Sequence, residues 1–313
     1  MYKRIAILIA SLLLIASCGG TGTAGPSATA APSARPSQSA AAFPTSVTDF
    51  QNRSVAISKR PERIVSIGPS NTEFLFALGA GDRVVGADDF SDEPAAAKAK
   101  EHVGGVKVNL EKVASLRPDL IVTVKFSDGT IAALTQLGAA VLVVDPQGLR
   151  DVSRTATLLG QAVGADGRML AADIQKQLDA VSAKTQGAAK PRVFHEVDAS
   201  DLAKMYTAGP GSFIDDLITV AGGTNIAAAA KTAYPTISAE EVVRADPEVI
   251  VLGDAAYGTT VAAVIARPGW SVLSAVKNKR VFEVPGNLFS RPGPRVGAAA
   301  LAYAKLVHPE LFR

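Results

Sequence analysis

Short apolar runs of strand length, separated by stretches of helical character, recur along the chain, and this alternation restricts the fold more than any other feature. The runs are RIVSI, DRVVGA, DLIVTV and AVLVVD in one group, then RVFHEV, EVIVLG and RVFEVP in a second. Each is continuous rather than alternating, as expected of strands covered on both faces, and parallel sheets flanked by helices provide that cover. A short hairpin, VTDF then SVAIS, precedes the first group. Between the groups, Met169, Leu170, Ile174, Leu178 and Val181 stand at helical spacing. They predict one long helix over 165–187.

An internal repeat divides the body in two. NLEKVASLRPDLIV, starting at Asn109, lies over SAEEVVRADPEVIV, starting at Ser238, without a gap. In each copy a capping residue opens a short helix, a glutamate follows two positions later (Glu111, Glu240), and a proline (Pro118, Pro247) stops the helix before an apolar strand. RIVSIGPSNTEFLFALGAG also corresponds loosely to RVFHEV and the later GPGSFIDDLITVAGG. The expected fold is therefore α/β, with two similar lobes (47–164 and 188–313), each built on a central, mostly parallel sheet, joined by the long bridging helix.

The first residues carry a different message. MYKR and the apolar IAILIASLLLIA form a secretory signal over 1–17, too short to cross a bilayer comfortably, since a spanning helix needs about 20 apolar residues. It ends at Ile15-Ala16-Ser17-Cys18, which resembles a bacterial lipobox and implies cleavage before Cys18 and lipid attachment there. Cys18 is the chain's single cysteine, so no internal disulfide can form. Residues 18–46, almost all Gly, Ala, Ser, Thr and Pro, carry too little bulky apolar surface to pack and read as a flexible tether. The expected location is the extracytoplasmic face of the cell membrane, or its periplasmic side in a cell with two membranes.

The 32 basic and 29 acidic residues are spread along the chain without a Lys/Arg cluster, which disfavours nucleic acid as a partner. Enzyme signatures are missing: no Gly-x-Ser-x-Gly elbow, no phosphate-binding P-loop, no His-Glu-x-x-His. The three histidines, His102, His195 and His308, stand in unrelated contexts. They give no metal site, and no cofactor is expected.

In open α/β sheets ligands bind beyond the carboxyl ends of the strands, near helix starts. That position selects Pro69, Ser70, Lys125 and Phe126 on the first lobe and Glu196, Asp198 and Asp254 on the second. Ser70 with Glu73, Ser212 with Asp215 and Ser238 with Glu241 have the spacing of capping boxes. Aromatic residues make up only 5% of the chain, yet Phe90, Tyr206, Tyr234, Tyr257 and Phe289 all fall outside the main apolar runs. Gathered at one cleft, they would suit a large planar or metal-chelate ligand. Arg291 and Arg295 bracket a turn and would either face solvent or pair with a ligand carboxylate or phosphate.

VTDFQNRSVAI, PERIVSIGPSNTEFLFALGAGDRVVGADDFSDEP, VGGVKVNLEKVASLRPDLIV, AGPGSFIDDLITVAGGTNI and SRPGPRVGAAALAYAKLVHPELF resemble the extracytoplasmic binding proteins of ABC importers for ferric siderophores, haem and cobalamin. The resemblance covers nearly the whole body. It implies two lobes bridged by one helix, a ligand held between them, and a small closing movement. It also implies that Glu111 and Glu240, otherwise acids favoured by a helix dipole, pair with arginines of a membrane permease served by an ATPase. DDFSDEP resembles the cobalamin-binding members, which carry an aromatic at the position of Phe90, and Tyr234 matches another aromatic position. Leu288 and Val124 stand where those members can carry tryptophan, and the VGGVKV loop lacks one. No Tyr or His is placed as an axial haem ligand, so a ferric siderophore and a corrinoid rank above haem. The resulting expectation is a non-enzymatic, lipid-anchored, monomeric receptor that delivers a metal chelate to a permease. A ligand-binding sensor lipoprotein and a secreted two-lobed hydrolase are the alternatives.

Overall fold

A computed structural model describes residues 42–313 of the chain. The signal segment 1–17, Cys18 and the tether as far as residue 41 lie outside the described residues. Strand β1 (Thr45–Thr48) pairs antiparallel with β2 (Ser54–Ile57), so Thr45 and Ser46, read as the end of the tether, already belong to a hairpin.

The first lobe holds β3 (Ile64–Ile67), β4 (Val84–Ala87), β5 (Glu101–His102), β6 (Leu120–Thr123) and β7 (Ala140–Val143). Their spatial order is β5-β4-β3-β6-β7 and every pair is parallel. All residues of β3 and β6 are buried, which explains their continuous apolar sequence. Helices α1 (Pro69–Ala77), α2 (Leu110–Ser115) and α3 (Thr130–Thr135) connect the strands.

The second lobe contains β8 (Arg192–Asp198), β9 (Met205–Thr207), β10 (Thr224–Asn225), β11 (Thr236–Ile237), β12 (Val249–Leu252) and β13 (Val281–Glu283). They run in the order β11-β9-β8-β12-β13, with β10 also against β8. This sheet is mixed. β9 follows β8 through too few residues for a crossover, so it can return only antiparallel.

The repeat seen in the sequence extends further in the structure. β3 pairs with β6 in the same register as β8 with β12, at positions equated by laying Asn109 on Ser238. Arg63 donates to the Leu116 carbonyl, and its counterpart Arg192 donates to that of Ala245. Asp119 accepts from the Arg63 backbone N–H, as Glu248 does from that of Arg192. Even the left-handed residue before each proline recurs, Arg117 at φ 46° and Asp246 at φ 44°.

Two helices link the lobes: α4 (Leu149–Val163) and α5 (Gly167–Thr185), the latter within the stretch read as the bridge. They pack closely because of glycine, since a Cβ on Gly167 would stand 1.9 Å from the Ala156 carbonyl oxygen. The N-cap of α4, Gly148, has no side chain, and the cap comes from the other lobe. Asp216, on helix α6 (Phe213–Val220), accepts from the Leu149 N–H at 2.8 Å. The remaining helices are α7 (Ala239–Ala245), α8 (Val261–Ile265), α9 (Ser274–Lys277), α10 (Gly286–Phe289) and α11 (Val296–Val307). The largest apolar cluster crosses from one lobe to the other, joining Leu120 and Leu142 through Leu159, Ile174 and Leu178 to Val193, Leu217 and Tyr303. A continuous core along the helical side opposes wide separation of the lobes, because opening there would expose buried apolar surface.

Candidate ligand-binding cleft

Residues that directly follow parallel strands, Gly68, Val124 and Val144 on the first lobe and Gly253 on the second, line two cavities. One, of about 180 Å³, is lined by Ser70, Val124, Asp145 and Gln147 from the first lobe and by Phe213 and Tyr234 from the second. The other, of about 220 Å³, belongs to the second lobe and is lined by His195, Ala256, Tyr257, Asn287 and Phe289 among others. The structure thus brings Ser70 together with Tyr234, and Tyr257 together with Phe289. Phe90, Lys125 and Tyr206 lie outside both cavities at exposed positions.

Three of the expected ligand contacts have partners within the protein itself. Glu196 is fully buried, and its carboxylate is gripped by Arg267 in a two-armed ion pair, with Nη2 to Oε1 at 2.8 Å. Arg267 in turn lies over the Trp270 ring at 4.6 Å. The strand end turns Glu196 inward, where burial pushes its carboxyl above the usual range and the arginine only partly offsets the rise. Phe126 packs against the outer core of the first lobe, formed by Val65, Val113, Ile121 and Leu134, instead of lining a cavity. Arg291 is spent on the protein itself: it pairs with Asp92, reaches Glu73 at 3.5 Å and donates to the Phe90 carbonyl at 3.0 Å.

Glu73 also departs from its expected role. Helix α1 begins at Pro69, whose fixed φ suits the first helical position, so Ser70 is already inside the helix and caps nothing. The Glu73 carboxylate instead accepts from Arg295 of the other lobe through two bonds of 2.7 Å. The other caps follow the sequence: Ser212 accepts from the Asp215 N–H, and Ser238 and Glu241 form a reciprocal capping box.

His195 is 2% exposed and its Nδ1 meets the Tyr303 hydroxyl at 3.1 Å. Burial lowers its pKa to about 4, so the imidazole at the cavity wall is neutral near pH 7. His102 meets Asp89, and His308 meets Glu310 and the Gly222 carbonyl, so the three histidines serve separate places. Asp145, missed by the sequence reading, sits on the cleft wall. Burial raises its carboxyl pKa, and the charge of nearby Lys125 partly offsets the rise. Its position after β7 was the available signal, since it too follows a strand's carboxyl end.

Glu111 and Glu240 occupy equivalent second positions in α2 and α7, and both are exposed. Among the described residues neither forms a salt bridge. Their neighbours are occupied: Lys112 pairs with Glu101 at 2.6 Å, and Glu241 closes the capping box.

Comparison with known proteins agrees with this architecture. The chain is 33% identical, over the full length of both, to an uncharacterized ABC transporter substrate-binding lipoprotein, YvrC, of Bacillus subtilis. A cobalamin-binding protein of Halobacterium salinarum is 31% identical over 86% of this chain and 75% of its own. Among solved structures, the apo form of the periplasmic haem-binding protein RhuT from Roseiflexus superimposes with a TM-score of 0.71 at 25% identity, covering 80% of this chain and 99% of that one. The family described as periplasmic binding protein matches residues 64–288. With two lobes, a cleft at the strand ends and a bridge of helices, the chain belongs to the periplasmic binding protein family.

Proposed function

We propose that this protein is the lipid-anchored substrate-binding subunit of an ABC importer, capturing a metal chelate between its lobes and delivering it to a permease. The observation that carries the reading is the pair of exposed aromatic side chains that line the cavities, Tyr234 at 47% and Tyr257 at 92%, with Phe90, 51% exposed, on a loop outside both. Unpartnered rings next to a hollow supply flat apolar area, which suits a ligand with a macrocycle or a bulky organic shell better than a bare ion. The similarity to a cobalamin-binding protein favours a corrinoid, with a ferric siderophore next. Glu111 and Glu240 would mark the docking surface, one on each lobe.

Calorimetric titration of the purified protein with cyanocobalamin, haemin and a ferric hydroxamate siderophore tests the reading. A corrinoid or siderophore is expected to bind with a Kd of about 1 μM or tighter, near −8 kcal/mol. Binding weaker than about 1 mM for all three would reject it. The anchor is tested separately. Exchanging Cys18 for alanine is expected to move the protein from the membrane pellet to the soluble fraction with ligand affinity unchanged; a variant still in the pellet places the anchor elsewhere.

A further inference from the structure

The loop that carries Phe90 is held from both lobes at once. On its own lobe, the Asp88 carboxylate, 3% exposed, accepts from the Phe90 N–H at 2.9 Å through Oδ1. Through Oδ2 it accepts from the Gly68 N–H at 2.6 Å and the Ser91 hydroxyl at 2.9 Å. Gly68 forms part of the wall of the interlobe cavity, so one buried carboxylate ties the rim loop to the cleft floor. From the other lobe, Arg291 donates to the carbonyl of the same residue, Phe90, and pairs with Asp92. Asn287, in the wall of the second-lobe cavity, adds a 2.6 Å bond to Asp92. The ring lies beside Gly105, where an added Cβ would come within 3.3 Å of the Phe90 Cζ and crowd it by a few tenths of an ångström.

We infer that Arg291 is a positioning residue for the cleft, a strap across the lobe boundary that fixes Phe90 before any ligand arrives. The inference rests on the reading of Phe90 as a contact for a flat metal chelate. Its physical content is preorganisation. An aromatic side chain already held in its bound place loses little freedom on binding, whereas a rim loop released from one lobe must be ordered at that moment. Arg291 is suited to the task because its planar guanidinium serves a carboxylate and a carbonyl in two directions; lysine would hold Asp92 but could not also maintain both bonds in that fork.

Two measurements test it. Hydrogen exchange on the ligand-free protein reports the loop directly. Arg291→Ala is expected to speed exchange of the 89–92 amides by about tenfold while those of α5 stay unchanged, and Arg291→Lys is expected to fall between. The second measurement is a cycle of cyanocobalamin affinities. Arg291→Ala alone is expected to weaken binding by about tenfold, but by less than about twofold in a Phe90→Ala background, because the strap has nothing left to position. Unchanged exchange at 89–92, or full additivity of the two substitutions, would overturn the inference. If cyanocobalamin fails to bind the unaltered protein, the corrinoid reading falls and the exchange result decides the strap alone.

Discussion

Replacing Arg267 with alanine is expected to lower the unfolding free energy by about 3–5 kcal/mol, the usual cost of stranding one member of a buried ion pair. The site gives the change little room for relief. Glu196 is fully buried, and Asp254, 5% exposed, adds a second negative charge close by. The Glu196 carboxylate, without solvent contact in the folded protein, would lose its compensating guanidinium, and the Trp270 ring its cation. The destabilisation should depend on pH, with a sign that follows from the site. Burial raises the Glu196 pKa in the folded state, while bonds and charge from Arg267 lower it. A carboxyl with a folded pKa above its unfolded value binds its proton more tightly when folded, so stability falls as pH rises through that window. Removing Arg267 pushes the window upward. The variant should therefore regain stability as pH falls from neutral toward 5, relative to the unaltered protein. Urea unfolding at both pH values measures the difference. A second variant, Arg267→Ala with Glu196→Gln, should recover part of the loss at neutral pH, where no charge is then stranded. Equal losses at both pH values, with no recovery in the double variant, would show that packing rather than charge carries the effect.

The same pair shows where sequence reading stops. Each strand from RIVSI to RVFEVP is present, since a continuous apolar run needs cover on both faces and has few other ways to obtain it. The caps at Asn109, Ser212 and Ser238 were equally legible because a cap and its target lie within three residues. What the local sequence does not announce depends on distant partners. Glu196 meets Arg267 across 71 residues, and Arg291 meets Asp92 across 199, so no local pattern announces either pair. Ser70 failed as a cap for a local reason, because Pro69 starts the helix one residue earlier. The antiparallel β9 escaped notice because three residues carry too short a pattern to register as a strand. The candidate site follows the same rule: position after a strand picked out Ser70, while the inward turn of Glu196 and the packing of Phe126 depend on tertiary contacts.

Reversing both Glu111 and Glu240 to lysine is expected to abolish ligand uptake by the assembled importer while leaving ligand affinity within about twofold of its starting value. Neighbouring contacts decide which acids are free. In Glu240-Glu241 the second carboxylate is committed to the Ser238 N–H at 2.8 Å, so only the first is available to a partner. Near Glu111, Lys112 turns away to Glu101, leaving Glu111 without a compensating cation. The repeat then places these two acids at matching positions, one per lobe, each exposed at the start of a short helix. Paired charges at an interface set docking orientation and encounter rate, and reversing both turns attraction into repulsion. A purely structural role makes a different prediction, since losing an acid near a helix N-terminus costs only about 0.3–1 kcal/mol of stability. Glu241→Lys supplies the contrast: it breaks the capping box, at a cost of about 0.5–2 kcal/mol, but should leave uptake intact at permissive temperature. Uptake by proteoliposomes or cells, read beside calorimetric affinity and melting temperature, separates the cases. Loss of ligand affinity in the Glu111 and Glu240 variant would put those residues in the cleft and remove them from the docking surface, whereas lost uptake with intact binding places them between this protein and its permease.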